Sequence, residues 1–267
     1  MPEDKVTVKT FLKMKQRGEK IAVLTAYDFF TAKILDDIGI DSILVGDSAN
    51  MVFYGAKDTL SISMDQMIYH TQAVSKAAKR ALVIGDMPFL SYQTSVSDAI
   101  LNAGRFLKEG GAHGVKIEGG LEMKDTVKRL IEVGIPVMGH IGMTPQSIEK
   151  FGGYSVQGKD EKKAEYLLES AKALEDAGCF SIVLECIPRE LAKKISSTLK
   201  IPTIGIGAGI DCDGQVLVVN DILGLYEEFK PKFVRRYTEL AKEMRKACKN
   251  FIDDVKTKKY PSEEESY

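Results

Sequence analysis

Two apolar runs of this chain end in aspartate. The stretch SILVGDSANM (42–51) places Asp47 directly after a run of Ile, Leu and Val, and ALVIGDMPF (81–89) places Asp86 at the equivalent position. A single Asp after a strand is usually a turn or helix-capping residue. Its recurrence at equivalent positions instead indicates carboxylates that serve one site.

Three further apolar runs also carry an ionisable side chain near their ends. Glu118 closes GVKIEG, His140 lies in PVMGHIG, and Glu185 follows SIVL in SIVLECI. Lys116 alternates with apolar neighbours and shares a face with Glu118. If these runs are parallel strands of a closed barrel, their carboxyl ends form one rim. Four carboxylates and an imidazole would then converge there.

A cluster of carboxylates needs a cation or shared protons to persist, because like charges repel. Oxygen ligands without clustered Cys or His suit Mg²⁺, with Mn²⁺ as the alternative. We therefore expect the carboxylates at these strand ends to hold a divalent metal.

Three of the other candidates can also be explained by a purely structural role. Lys116 fits either an ion-pair partner or an anchor for a substrate carboxylate. His140 fits either the site or a hydrogen-bonded core histidine. The glycines of GIGAG (205–209) fit close packing or a phosphate site, and packing is favoured.

Eight short apolar runs predict the strands of a (β/α)₈ barrel. They are rich in Val and Ile and bounded by Gly or Pro, as buried parallel strands are. The runs are 21–27, 42–47, 81–86, 114–119, 136–142, 181–187, 202–209 and 215–221. Helical patterns between them cover 29–40, 97–112 (with a Ser cap at its start), 123–135, 160–179 and 189–199. The alternative, a doubly wound open sheet, is disfavoured because no G-x-G-x-x-G follows any strand.

The 267 residues are predicted to form one α/β domain, a TIM barrel with helical additions. A helix within residues 1–19 would cap the barrel bottom, and the barrel itself would span 20–225. Residues 226–267 would form a C-terminal helix, at 230–258, and a polar tail. No linker divides the chain.

Composition excludes several classes of partner. The net charge of −1 indicates no nucleic-acid partner. No apolar run approaches the roughly 20 residues that span a bilayer, and the charged N-terminus lacks a signal-peptide core, so no membrane partner and a cytoplasmic location are expected. The four cysteines lack CxxC spacing, which argues against a disulfide scaffold or a zinc knuckle.

Motifs along almost the whole chain, from about residue 7 to 266, resemble the ketopantoate hydroxymethyltransferase family. The most specific pair is GHIGMTPQS (139–147) with FGGYSVQG (151–158). The others are LTAYD (24–28), LVGDS (44–48), YHTQAV (69–74), GDMPF (85–89), VKIEGG (115–120), LECIP (184–188), IGIGAG (204–209) and YPSEEES (260–266).

The resemblance implies a (β/α)₈ barrel that assembles as a homodecamer of two pentameric rings. It implies Mg²⁺-dependent transfer of a hydroxymethyl group from 5,10-methylenetetrahydrofolate to 3-methyl-2-oxobutanoate. It implies metal ligation by Asp47, Asp86 and Glu118, proton abstraction by Glu185, and substrate contacts from Asp47, Ser48, Asp86, Lys116, His140 and Tyr27. The sequence departs from the family pattern in one loop, where family members commonly have Gly at the position of Asn50 and a His near that of Ala56. Asn tolerates left-handed backbone, so we expect the turn to persist.

Two other functions are compatible with this pattern of residues. One is a metal-dependent barrel enzyme of the phosphoenolpyruvate mutase and isocitrate lyase kind, which would act on 2-oxo acids without folate. The other is a non-catalytic barrel that binds a metabolite or serves as an assembly subunit. The acid cluster with Glu185 argues against the second, since a scaffold requires none of these residues.

Overall fold

The structure is a computed structural model that describes residues 5–227 and 230–267. Eight parallel strands close into a barrel in chain order, which confirms the predicted fold class. The strands are β1 Ile21–Thr25, β2 Ser42–Val45, β3 Leu82–Asp86, β4 Gly114–Glu118, β5 Val137–Gly142, β6 Ser181–Glu185, β7 Thr203–Ile206 and β8 Gly214–Leu217.

Helices alternate with these strands along the chain. They are α1 Val8–Arg17, α2 Phe29–Asp37, α3 Ala49–Val52, α4 Met64–Ala77, α5 Val96–Lys108, α6 Lys124–Glu132, α7 Ile148–Phe151, α8 Glu161–Ala177, α9 Arg189–Thr198, α10 Val219–Ile222 and α11 Leu240–Lys256. Helix α4, which begins at a capping box formed by Ser63 and Gln66, was not predicted from the sequence. The cap of α5 is Ser95, whose side chain accepts from the Asp98 amide, and not Ser97 as predicted.

The lower end of the barrel is closed by α1. Phe11 is fully buried and packs edge-to-face on Phe180, with ring centroids 5.8 Å apart. It belongs to an apolar cluster that joins α1 and the residue Val6 to strand side chains: Val6, Phe11, Ile21, Val23, Leu44, Leu82, Ile84, Met138, Val183, Ile204 and Val216. Burial of these apolar side chains stabilises the fold at this end of the barrel.

The strand registers bring the ionisable residues of the upper end side by side. Asp86 pairs with Lys116 across β3 and β4, and Glu118 pairs with His140 across β4 and β5. Glu185 pairs with Gly142 across β5 and β6. Neighbouring strands lie about 4.8 Å apart, so side chains at paired positions on the same face are in contact range.

Two compact units divide the chain, Met1–Val218 and Val219–Tyr267. The first contains all eight strands. The single-domain organisation predicted from the sequence stays a prediction. Residues 1–4 of the predicted N-terminal segment and residues 228–229 of the predicted C-terminal extension lie outside the described residues.

Two boundaries predicted from the sequence differ from those in the structure toward the C-terminal end of the chain. The apolar run 215–221 was predicted as one strand, but β8 ends at Leu217 and α10 begins at Val219. The helix predicted at 230–258 begins only at Leu240, so Phe233 and Tyr237 precede it. Residues 230–239 are turn and irregular backbone instead, and the Tyr237 and Leu240 amides donate to the carbonyls of Ile222 and Leu223 rather than to a preceding helical turn. Among the described residues, no helix combines the length and apolar character needed to cross a bilayer.

Candidate active site

The ends of β2 and β3 place two aspartates beside each other. Asp47 and Asp86 are both buried, and the Asp47 amide donates to Asp86 Oδ2 at 3.2 Å. Since β2 pairs with β3 in parallel, the residues that follow each strand meet at the same height on the rim. The predicted proximity of these two carboxylates is therefore a direct result of strand register.

Lys116 lies between two of the acids. Its Nζ is 2.6 Å from Asp86 Oδ1 and 3.6 Å from Glu118 Oε1, and its side chain is only 5% exposed. A buried ammonium is stable only when paired, and here two carboxylates supply the compensation. Burial alone would lower the pKa of Lys116, but the surrounding Asp86, Glu118 and Asp47 outweigh it and raise the pKa above its usual value.

His140 bridges the acid cluster and Glu185. Its Nδ1 is 3.4 Å from Glu118 Oε1, and its Nε2 is 3.2 Å from Glu185 Oε2. Burial and the charge of Lys116 lower the pKa of His140, but contacts with the two glutamates outweigh both and raise it to about 9. The structure therefore places His140 within the site rather than in the apolar core.

The carboxylates differ in how well their charge is compensated. Burial raises the pKa of Asp47 well above its usual value, and repulsion from Asp86 and Glu118 adds to this. Burial also raises the pKa of Asp86, against the opposing effect of Lys116. The pKa of Glu118 is lowered, because Lys116 and His140 outweigh its burial. Asp47 thus has the most to gain from an added cation.

Ser48 and Tyr27 form a separate pair at the same rim. The Tyr27 hydroxyl and Ser48 Oγ lie 2.8 Å apart, joining the segments that follow β1 and β2. Gly46 makes room for this arrangement, since a Cβ at that position would lie 2.7 Å from Ser48 Oγ. The two hydroxyls offer hydrogen bonds to a ligand bound beside Asp47.

The loop after β2 is tied down by Asn50. Its Nδ2 donates to the Asp58 carbonyl at 2.8 Å and to Ser61 Oγ at 2.9 Å. Asn50 lies inside α3 and does not adopt a positive φ. The tolerance of Asn for left-handed backbone is therefore not used here, and the side-chain amide of Asn50 holds the loop.

Sequence reasoning missed two polar residues of the site, Gln146 and Tyr92. Gln146 Nε2 donates to Asp47 Oδ2 at 2.9 Å, and the Gln146 amide donates to Glu118 Oε2 at 3.0 Å. Tyr92, which is 1% exposed, donates to Gln146 Oε1 at 2.8 Å and accepts from the Glu118 amide at 2.9 Å. Gln146 lies in GHIGMTPQS, so its motif was recognised although its role was not.

A cavity of about 360 Å³ adjoins this network. It is lined by residues that follow β4 and β5, including Glu122, Gln146 and Lys150, and by side chains of α8, including Tyr166. Glu118 itself lines this cavity beside Gln146 and Tyr92, which both contact it, so the cavity opens onto the acid cluster.

The chemistry of the donors fits a hard divalent cation. Asp86 Oδ1 and Glu118 Oε1 are buried carboxylate oxygens that contact the cationic side chains Lys116 and His140, at 2.6 Å and 3.4 Å respectively. Within residues 5–227 and 230–267, however, no group of three or more His, Cys, Asp or Glu side chains is arranged to hold a metal as it stands.

A set of three protein ligands is not required for magnesium, which is usually held by one or two carboxylates with water and substrate completing the shell. The adjacent Asp47 and Asp86 meet that requirement. Glu118 is separated from them by Lys116, so its predicted place in the metal site stays a prediction.

Fold and site together define a (β/α)₈-barrel protein with a buried acid–lysine cluster at the carboxyl ends of its strands. Solved structures share the fold. A 2,3-dimethylmalate lyase of the PEP mutase/isocitrate lyase superfamily has a TM-score of 0.62 at 16% identity, over 93% of this chain and 88% of that one. A phosphonopyruvate hydrolase solved with oxalate and Mg²⁺ has a TM-score of 0.63 at 11% identity, over 97% and 93%. At these identities the likeness concerns the fold alone.

Sequence comparison is more specific. The model of the ketopantoate hydroxymethyltransferase family matches residues 5–263. A 3-methyl-2-oxobutanoate hydroxymethyltransferase of Clostridium kluyveri is 57% identical over 98% of this chain and 94% of its own length. That of Syntrophus aciditrophicus is 53% identical over 98% and 97%. The chain therefore belongs to the ketopantoate hydroxymethyltransferase family, which confirms the resemblance seen in its motifs.

Proposed function

We propose that this protein transfers a hydroxymethyl group from 5,10-methylenetetrahydrofolate to 3-methyl-2-oxobutanoate and so forms 2-dehydropantoate. Its relatives at 53–57% identity carry the name of this hydroxymethyltransferase and match the chain over nearly its full length. The observation that carries the proposal is the unbroken series of contacts from Asp47 through Asp86, Lys116, Glu118 and His140 to Glu185.

This series of contacts divides the site into a metal-binding part and a part that removes a proton. Asp47 and Asp86 would hold Mg²⁺, with Glu118 in the same cluster and Mn²⁺ as the alternative ion. When bound, the ion supplies Lewis-acid stabilisation of the negative charge that develops on the keto oxygen. Support comes from the all-oxygen donor set of the cluster, which suits this ion.

Binding of the keto acid is assigned to Lys116, Ser48 and Tyr27. The ammonium of Lys116 balances the carboxylate of the substrate, and the Ser48–Tyr27 pair offers hydroxyl groups beside Asp47. Fixing the substrate in one orientation lowers the barrier by removing motion that the reaction would otherwise have to restrict.

Glu185 is assigned to removal of the C3 proton of the keto acid. Its side chain is 13% exposed and reaches the rim from β6, opposite the lysine-paired acids. His140 holds one Glu185 oxygen by its Nε2, which orients the carboxylate and leaves its other oxygen for the proton. The resulting carbanion would attack the one-carbon unit of the folate. We further propose assembly as a homodecamer, by analogy with the family; the cytoplasmic location stays a prediction.

A product assay tests the proposal. Protein supplied with 3-methyl-2-oxobutanoate, 5,10-methylenetetrahydrofolate and Mg²⁺ is expected to form 2-dehydropantoate, measured by mass spectrometry, and chelation with EDTA is expected to stop it. Full activity after EDTA treatment would remove the metal from the proposal. Turnover of the keto acid to another product without folate would instead favour a lyase-type or mutase-type activity.

A further inference from the structure

Gln146 occupies an unusual position for a neutral residue. It lies in the 3₁₀ helix Pro145–Ser147 after β5, is 5% exposed, and belongs to a loop 99 residues distant in sequence from Asp47. None of the roles considered so far requires it. Yet it contacts two of the three acids of the cluster.

Every polar group of the Gln146 side chain is engaged. Nε2 donates to Asp47 Oδ2 at 2.9 Å and to the Met87 carbonyl at 2.9 Å. Oε1 accepts from the Tyr92 hydroxyl at 2.8 Å and from Gln93 Nε2 at 3.0 Å. A glutamine amide can make four hydrogen bonds, so this side chain is fully satisfied.

The orientation of this amide follows from chemistry. The Met87 carbonyl only accepts hydrogen bonds, so the nitrogen of Gln146 must face it. Gln93 Nε2 only donates, so the oxygen of Gln146 must face that side. The N–H directed at Asp47 is therefore fixed by partners that cannot exchange roles.

The backbone of the same residue acts on a second acid. The Gln146 amide donates to Glu118 Oε2 at 3.0 Å. One residue thus holds Oδ2 of Asp47 and Oε2 of Glu118, while Glu118 Oε1 faces Lys116 and His140. Partners of this kind orient metal-binding carboxylates and commonly change metal affinity or activity by about 10–100-fold when removed.

We propose that Gln146 is a positioning residue of the acid cluster, which orients Asp47 and Glu118 for binding of the divalent cation. The inference rests on the proposed metal-dependent function. Gln146 itself touches neither the substrate nor the reacting atoms.

The test is a calorimetric titration of the metal-free protein with Mg²⁺ alone, for wild type, Gln146→Met and Gln93→Met. Methionine has nearly the volume of glutamine but cannot donate to Asp47. We expect Gln146→Met to bind Mg²⁺ about 10–100-fold more weakly. Gln93→Met is the matched control, because the Tyr92 hydroxyl and the Met87 carbonyl still hold the Gln146 amide when Gln93 is replaced. Among the described residues Gln93 makes no hydrogen bond to an acid of the cluster, so the Kd of this variant is expected within about threefold of wild type.

The dependence of activity on Mg²⁺ distinguishes a positioning role of Gln146 from a purely structural one. If Gln146 positions the acids, saturating Mg²⁺ restores most of the activity of Gln146→Met, whereas excess keto acid does not. Unchanged Mg²⁺ affinity in folded Gln146→Met would overturn the proposal, as would an equal loss in Gln93→Met. If Gln146→Met does not fold, Gln146→Asn replaces it: its amide is too short to reach Asp47, and the same weakening is expected. Wild type that does not bind Mg²⁺ would instead contradict the proposed metal site itself.

Discussion

The two ends of the barrel interior are built from opposite chemistry. The lower end is filled by apolar side chains such as Phe11, Ile204 and Val216, closed by α1. The upper end, within the same eight strands, buries Asp47, Asp86, Lys116, Glu118 and His140. Along β4 the change takes place within five residues, from Gly114 to Glu118.

The two ends also differ in what they contribute to the free energy of folding. Burying charges costs several kcal/mol for each ion after relaxation, and ion pairing repays this only in part. The apolar end can offset that cost, since each large buried side chain contributes roughly 1.5–3 kcal/mol. The barrel therefore stabilises itself at one end and tolerates a costly, reactive cluster at the other.

Removing the ammonium of Lys116 is expected to cause the largest change in stability at the charged end of the barrel. Lys116→Met removes the cationic partner of Asp86 and leaves Glu118 with His140, and we expect a loss of about 3–5 kcal/mol in the free energy of unfolding of the metal-free protein. Urea denaturation measures it. Lys15→Met is the control at the lower end, where the ion pair with Asp213 is more accessible to water, and a loss of about 1 kcal/mol is expected there. Equal losses at the two lysines would contradict the account.

The charged end should also give the protein a specific pH dependence. Because the pKa of His140 is raised from 6.5 to about 9 on folding, its protonated form stabilises the fold fully below pH 6.5, and this stabilisation is lost as pH rises through 9. The stability gap between wild type and His140→Gln should therefore shrink by roughly 3 kcal/mol between pH 6 and pH 9.5 in the metal-free protein. Denaturation at several pH values measures the gap, and a gap that stays constant would show that His140 is neutral in the fold.

The smallest effect is expected at the apolar end. Ile204 is 1% exposed in the lower cluster, and Ile204→Val removes one methylene group. We expect a cost of about 0.5–1.5 kcal/mol with no change in its pH dependence. Thermal denaturation and steady-state kinetics test this together. A change in kcat or KM without a change in stability would mean that the two ends are not separate in function.

The repeating pattern of the strands was sufficient to predict the barrel. Eight buried runs separated by helical patterns leave few other arrangements, and each predicted strand overlaps an observed one. The acids could be placed at one rim for the same reason, because parallel strands of a barrel end at one side. The pairing of Glu118 with His140 required the register, which no local pattern reports.

The elements that were missed lack a local signal of that strength. Helix α4 mixes apolar residues with the buried polar residues His70 and Thr71, which obscures its helical period. Gln146 is neutral, and its role depends on a loop that brings it to Asp47 from 99 residues away. The C-terminal helix was predicted too long because charged residues on both sides of Pro231 resemble a helical surface.

The proposed mechanism depends above all on Glu185, which removes the C3 proton of a 2-oxo acid at the charged end of the barrel when a divalent cation is bound. Exchange of that proton in 3-methyl-2-oxobutanoate with D₂O, followed by NMR without any folate, tests it directly. We predict exchange with wild type and Mg²⁺, no exchange after chelation, and a rate about 10²–10⁴-fold lower for Glu185→Gln. Exchange that continues at the wild-type rate in folded Glu185→Gln, or in chelated protein, would contradict the account.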